Sequence, residues 1–104
     1  MADSRLEVLK NLVAQNPRDS FTRYGLAMEY ASQGNLEEAL SEYQALLSVN
    51  QDYPAAYYHG GQTLAKLGRL EEARAMYAQG IEVTGRLGDL HTRDELKAAL
   101  DLLG

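Results

Sequence analysis

Residues 34–39 read GNLEEA, and residues 68–73 read GRLEEA. The two blocks lie 34 positions apart, and the match holds well beyond them. At the same shift Tyr24 falls on Tyr58, Ala31 on Ala65, Tyr43 on Tyr77 and Val49 on Val83, so residues 20–53 recur as 54–87 with nine identities. A fixed period of this size is the signature of a repeat architecture. Each unit cannot bury its apolar face alone and must stack on the next.

Each unit reads as two helices. Leu26, Ala27, Tyr30 and Ala31 have the spacing of one helical face. Gly34 follows as a glycine just past a helix C-terminus does, and Asn35 with Glu38 has the form of a capping box for the next helix. Leu36, Ala39, Leu40, Tyr43, Leu46 and Leu47 supply that helix's buried face. In the second unit Pro54 suits a first helical turn, Gly68 breaks the chain, and Leu70, Ala73, Tyr77 and Ile81 form the second stripe.

The flanks continue the pattern. Ser4 with Glu7 reads as a capping box ahead of Leu6, Leu9, Leu12 and Val13, and Asn16-Pro17 stops that helix. Thr92 with Glu95 reads as another, ahead of Leu96, Ala99, Leu100 and Leu103. Six helices are expected, over 4–15, 20–33, 36–50, 54–67, 70–86 and 92–103, with Gly85–Asp89 as the one flexible joint. The fold class is therefore all-α: a solenoid of helix–turn–helix repeats whose last helix caps the stack, all within one domain, 1–104.

Composition agrees. Fourteen alanines and seventeen leucines dominate, two prolines occur, and tryptophan and cysteine are absent. That balance favours helix over sheet. Charged residues at 24% and hydrophobic ones at 45% argue against disorder. Without cysteine there is no disulfide framework, thiolate zinc site or cysteine nucleophile. The start carries Asp3, Arg5, Glu7 and Lys10 with no apolar run for a signal peptide, and no window approaches the roughly 18 apolar residues of a membrane span. Net charge is −5 and the ten basic residues stand singly, which speaks against nucleic acid. A cytoplasmic protein without membrane or nucleic-acid partners is expected.

With these landmarks the 34-residue unit resembles the tetratricopeptide repeat. The family's ordered set of small, aromatic, Gly, Ala and aromatic residues is met by Ala27, Tyr30, Gly34, Ala39 and Tyr43. In the second unit Gly61, Leu64, Gly68, Ala73 and Tyr77 take those places. Leu9, Leu12 and Pro17 fit the second half of a preceding repeat, whereas Arg5 stands where the family has Ala. Arg23 and Tyr57 stand where it has Trp or Leu, and Gly60 where it has Leu. The small residues let helix axes approach to about 8–9 Å. At Gly60-Gly61 the expectation is close packing, a neighbouring tyrosine filling the space of the missing Leu; the alternative is a pocket or bend used by a ligand.

The resemblance implies a concave groove lined by the first helix of each repeat. Its positions read Phe21, Tyr24, Gly25, Met28, Ala31 and Ser32, then Ala55, Tyr58, His59, Gln62, Ala65 and Lys66. Of these, Phe21, Tyr24, Met28, Tyr58, His59, Gln62 and Lys66 are the candidate contacts. Amphipathic aromatics and an adaptable Met suit a peptide. The bland alternatives are that Tyr24 and Tyr58 stack on each other and that His59 is merely solvated. Tyr30, Tyr43, Tyr57 and Tyr77 fall on core positions. Family members that grip acidic chaperone tails use basic residues and Asn where this chain has Tyr24, Met28, His59, Asp89 and Arg93; only Arg93 matches, so chaperone C-terminal tails are disfavoured.

Nothing else points to chemistry. His91, Asp94 and Glu95 have ligand-type side chains, but a capping box explains them without a metal. Glu37-Glu38 and Glu71-Glu72 sit in first turns, where the helix dipole favours acids. No phosphate loop or nucleophile elbow occurs. The sequence reads as a non-catalytic module without cofactor or metal, binding a peptide or partner helix in its groove. The alternative is a self-associating unit, a homodimer with no separate ligand.

Overall fold

The computed structural model describes residues 4–104; Met1–Asp3, part of the expected domain and of its charged start, lie outside the described residues. Ser4 opens the first helix, its hydroxyl accepting the Glu7 N–H at 3.1 Å. The described residues form six helices: α1 (Arg5–Gln15), α2 (Ser20–Ser32), α3 (Leu36–Val49), α4 (Pro54–Lys66), α5 (Leu70–Leu87) and α6 (Leu90–Leu102). Each packs on the next, and α4 also meets α6. The result is a stack 45 × 28 × 20 Å across.

The turns explain the repetition. Gly34, Gly68 and Gly88 have φ of 80°, 78° and 77°, a left-handed conformation that glycine adopts without penalty. After each glycine the next N–H reaches back into the last turn: Asn35 to the Tyr30 carbonyl, Arg69 to Leu64 and Asp89 to Thr84, each at 2.9 Å. This is the Schellman closure, and it satisfies carbonyls that a helix end leaves without partners.

Three expectations at helix ends are corrected. Asn35 makes no side-chain cap bond, so the capping box with Glu38 does not form; its backbone N–H is held by Tyr30 instead. Thr92 is not a cap either. The α6 helix starts two residues earlier, because Asp89 follows the Gly88 closure directly and its carboxylate accepts the Thr92 N–H at 3.1 Å. Gly85–Asp89 is not a loose joint: α5 runs through Gly85 to Leu87 and ends in the same closure as α2 and α4.

Packing follows the small residues. Ala27, Ala39, Ala56 and Ala73 are fully buried, around Tyr43 and Leu46 in one cluster and Leu40 and Leu64 in another. At Gly61 a methyl group would run into the Tyr77 ring, so glycine makes room for the aromatic. At Gly60 the space of the missing leucine is taken by Met76, whose methyl would lie 3.3 Å from an added Cβ, and by Tyr43. Close packing therefore accounts for the glycine pair, with a methionine helping where a tyrosine alone was expected. Of the four core tyrosines, Tyr43, Tyr57 and Tyr77 are buried and Tyr30 is half-buried at the edge.

Arg23 is absorbed by an ion pair with Glu42 of α3 at 2.8 Å and a bond to the Pro17 carbonyl at 3.1 Å. The α6 helix closes the stack. Its Leu96 is fully buried against Tyr57, Tyr77 and Val83, and Arg74 of α5 donates to the Leu103 carbonyl at 3.0 Å. No described helix is long and apolar enough to cross a membrane.

Candidate functional site

The first helices α2 and α4, together with α6, carry a row of three hollows. The one between α1 and α2 holds about 530 Å³ and is lined by Leu9, Leu12, Phe21, Tyr24 and Met28, among others. The middle hollow, about 280 Å³, lies over α2 and α4, with Met28, Tyr43, His59, Gln62 and Lys66 in its wall. The third, about 420 Å³, lies between α4 and α6 and takes in Tyr58, Gln62, Lys66, Tyr77, Glu95, Ala98 and Leu102. Met28 belongs to the first two hollows, Gln62 and Lys66 to the last two. All seven candidate residues thus fall on one continuous face.

Helix periodicity accounts for the alignment. Tyr58, Gln62 and Ala65-Lys66 recur every three or four residues along α4, as Phe21, Tyr24 and Met28 do along α2. Tyr24 and Tyr58 do not stack on each other. His59 lies between them, 5.8 Å from the Tyr24 ring and 5.2 Å, edge-on, from that of Tyr58. Tyr24 also leans on Tyr53 at 5.4 Å. Edge-on and tilted contacts of this kind are the favoured geometry of aromatic pairs.

His59 is half-buried rather than solvated. Burial holds its imidazole below the ordinary value, with a hydrogen bond to Gln62 pulling the other way, so the ring is neutral at pH 7. Tyr43, at the floor, donates its hydroxyl to the Met28 sulfur at 3.0 Å, and burial, then the neighbouring Tyr24, push its pKa well above 10.0. Gln62 donates to the Tyr58 hydroxyl at 3.3 Å. The face therefore offers apolar walls, phenol hydroxyls and a side-chain amide, with Lys66 and Glu95 as its charges at the α6 end. Such a surface can offer apolar contact and hydrogen bonds.

Sequence reasoning missed part of the wall. Leu9, Leu12, Glu95, Ala98 and Leu102 were not among the candidates. Leu102 carried a signal: it falls outside the apolar stripe of its helix, and it is 88% exposed. Asp89 and Arg93 leave the face, Asp89 capping α6 and Arg93 lying 3.4 Å from Asp94. His91 lies 3.8 Å from Glu95, and among the described residues no three His, Asp or Glu side chains converge as a metal site would need.

Stacked helical hairpins with their first helices aligned along an open, largely apolar face define a protein-interaction scaffold. A TPR repeat profile matches residues 27–68, and a tetratricopeptide repeat profile matches 54–91. A tetratricopeptide repeat domain protein from Salinibacter ruber, solved in solution, is 38% identical; the alignment covers 85% of this chain and 89% of that one, with a TM-score of 0.80. The chain belongs to the tetratricopeptide repeat family. It is also similar to YrrB, described as a TPR protein with an unusual peptide-binding site: 28% identical, TM-score 0.78, covering 89% of this chain and 46% of that one. A third relative is the photosystem I assembly protein Ycf3 of Rippkaea orientalis, 32% identical over 77% of this chain. This chain spans half the length of that protein.

Proposed function

We propose that the chain holds a segment of another protein, an extended peptide or a partner helix, along the face formed by α2, α4 and α6, and that it does so without catalysis. The observation that carries this reading is the continuity of the hollows through Met28, Gln62 and Lys66. One segment can pass from the middle hollow into the α4–α6 hollow, by way of Gln62 and Lys66, without leaving the face. The walls favour apolar and aromatic anchors, because burying such groups against tyrosine, alanine and leucine is where most interface energy resides. The single Lys66, with Glu95 in the same hollow, gives no basis for gripping an acidic tail, in line with the expectation against chaperone C-termini. YrrB, with its peptide-binding site, supports the reading at the level of the fold and repeat.

The test is a random peptide library displayed on phage and selected on the full chain. Selected peptides are then measured by calorimetry against the parent, Tyr58→Ala and Ala98→Arg. Loss of one anchor contact should weaken binding by about 10- to 30-fold, the size of a hot-spot truncation. Peptides that bind all three proteins equally would place the binding surface elsewhere.

A further inference from the structure

The α1 helix stands where the second helix of a preceding hairpin would stand. Its Arg5, Leu9 and Leu12 are one repeat length before Ala39, Tyr43 and Leu46. Those three residues of α3 are fully buried, sealed by α2. Nothing described seals their counterparts in α1. Leu9 and Leu12 open into the first hollow, Leu12 is 44% exposed, and Phe21, on the facing wall, is 75% exposed. Of the nine exposed large hydrophobics among the described residues, Val8, Leu12, Phe21 and Met28 gather on these two helices. Scattered exposed leucines need no explanation, but a cluster around a hollow does.

Two features decide what covers it. Arg5 occupies the place that Ala39 and Ala73 keep empty for a close helix crossing, and it is tied to Glu29 at 3.1 Å. A first helix of the ordinary kind would need an alanine there, so the occupant crosses farther out, over Val8 and Leu12. Charge is the second feature. Residues 4–33 carry four basic and three acidic side chains, against six and eleven in 34–104. Arg5 and Glu29, the charges lining the hollow, already satisfy each other. The occupant is therefore neutral and apolar where it touches, and the N-terminal end is where two copies of an acidic chain meet with least repulsion.

We infer that a second copy of the chain fills the hollow across a two-fold axis, the two α1 helices antiparallel, with Val8 and Leu12 of each copy packed against Phe21 and Met28 of the other. A two-fold axis perpendicular to α1 makes α1 of the other copy run antiparallel to it, the direction that the first helix of a hairpin takes against the second. It also sends the two acidic halves to opposite ends of the dimer. The second copy takes the first hollow, and the proposed peptide keeps the middle hollow and the one between α4 and α6. A contact built on one short helix from each copy lies at the low end of interface sizes, below about 1,200 Å², so the dimer dissociates in the micromolar range.

Sedimentation equilibrium of the full chain, from about 5 to 500 μM, tests this range of affinity. The parent should approach twice 11.5 kDa. Leu12→Glu and Phe21→Ser, both at solvent-exposed positions, should each raise the dissociation constant at least about 10-fold with helical circular dichroism unchanged. Tyr58→Ala should leave it as it is, which separates this interface from the peptide face. A parent that stays monomeric throughout overturns the inference. So does a dimer that survives either folded variant, and so does a mass that climbs past two copies, the mark of head-to-tail stacking.

Discussion

Replacing Leu96 with alanine removes the side chain on which the end of the stack depends. Leu96 is fully buried, and it joins α6 to Tyr57 of α4 and to Tyr77 and Val83 of α5. Deleting such a leucine costs about 2–5 kcal/mol, from lost burial and from the cavity left behind. Collapse is limited on one side, because Gly80 already lets Tyr57 Cβ come within 2.6 Å of where a methyl would sit. The upper half of the range is therefore expected. A domain of this size has roughly 5–15 kcal/mol in all, and each kcal/mol lowers Tm by about 4–8 °C. Leu96→Ala should thus melt at least about 14 °C below the parent, while Leu102→Ala should stay within about 0.5 kcal/mol. Thermal and urea unfolding followed by circular dichroism, at one protein concentration for all variants, read the two. Ending the chain after Asp89 should go further, exposing Tyr77 and Val83 and giving a non-cooperative or aggregating product. A Leu96→Ala protein as stable as the parent, or a truncated chain that unfolds cooperatively, would refute the role of α6 as a cap.

Further outcomes are expected along the same lines. Ala39→Leu and Ala73→Leu, at fully buried crossings, should each destabilise by about 1–3 kcal/mol in the same unfolding assay. Gly61→Ala should not deliver the roughly 1 kcal/mol that alanine ordinarily adds to a helix, because the methyl meets the Tyr77 ring; a gain of that size in urea unfolding would contradict the packing. His59 has a folded pKa below the ordinary 6.5, so the unfolded chain takes up its proton first. Stability should fall as pH drops through 6.5, and His59→Gln should flatten that part of the profile. Tyr43 is shifted the other way, above 10.0, so the unfolded chain ionises first as pH rises. Stability should then be lost above pH 10, with tyrosinate absorbance appearing together with the loss of helix.

The repeat and its turns were legible because they are local. Gly34 and Gly68 mark closures whose bonds span five residues, and a 34-residue shift brings them into register. The same closure at Gly88 stood outside that period, so it read as a loose joint. The caps at Asn35 and Thr92 failed for a related reason: composition shows which residues can cap, but the preceding turn decides which backbone N–H groups are still free. Arg23 looked out of place because its partner Glu42 lies in the next helix, 19 residues away. The seven candidate residues share one face because helical spacing is written in the sequence. The role of His59 between Tyr24 and Tyr58 was not, since it depends on how closely α2 and α4 approach. Leu12 stands one repeat length before the buried Leu46, yet it is exposed, because burial belongs to the neighbouring helix as much as to the residue itself.

The claim that the α2–α4–α6 face binds a partner chain is met most directly by nuclear magnetic resonance. A peptide selected from the random library is titrated into the isotope-labelled full chain, and backbone amide shifts are followed. The largest changes should fall at His59, Gln62, Lys66 and Ala98, with the outer surfaces of α3 and α5 unmoved. Changes concentrated on Glu38, Ser41, Ala75 and Gln79, with the face itself silent, would contradict it.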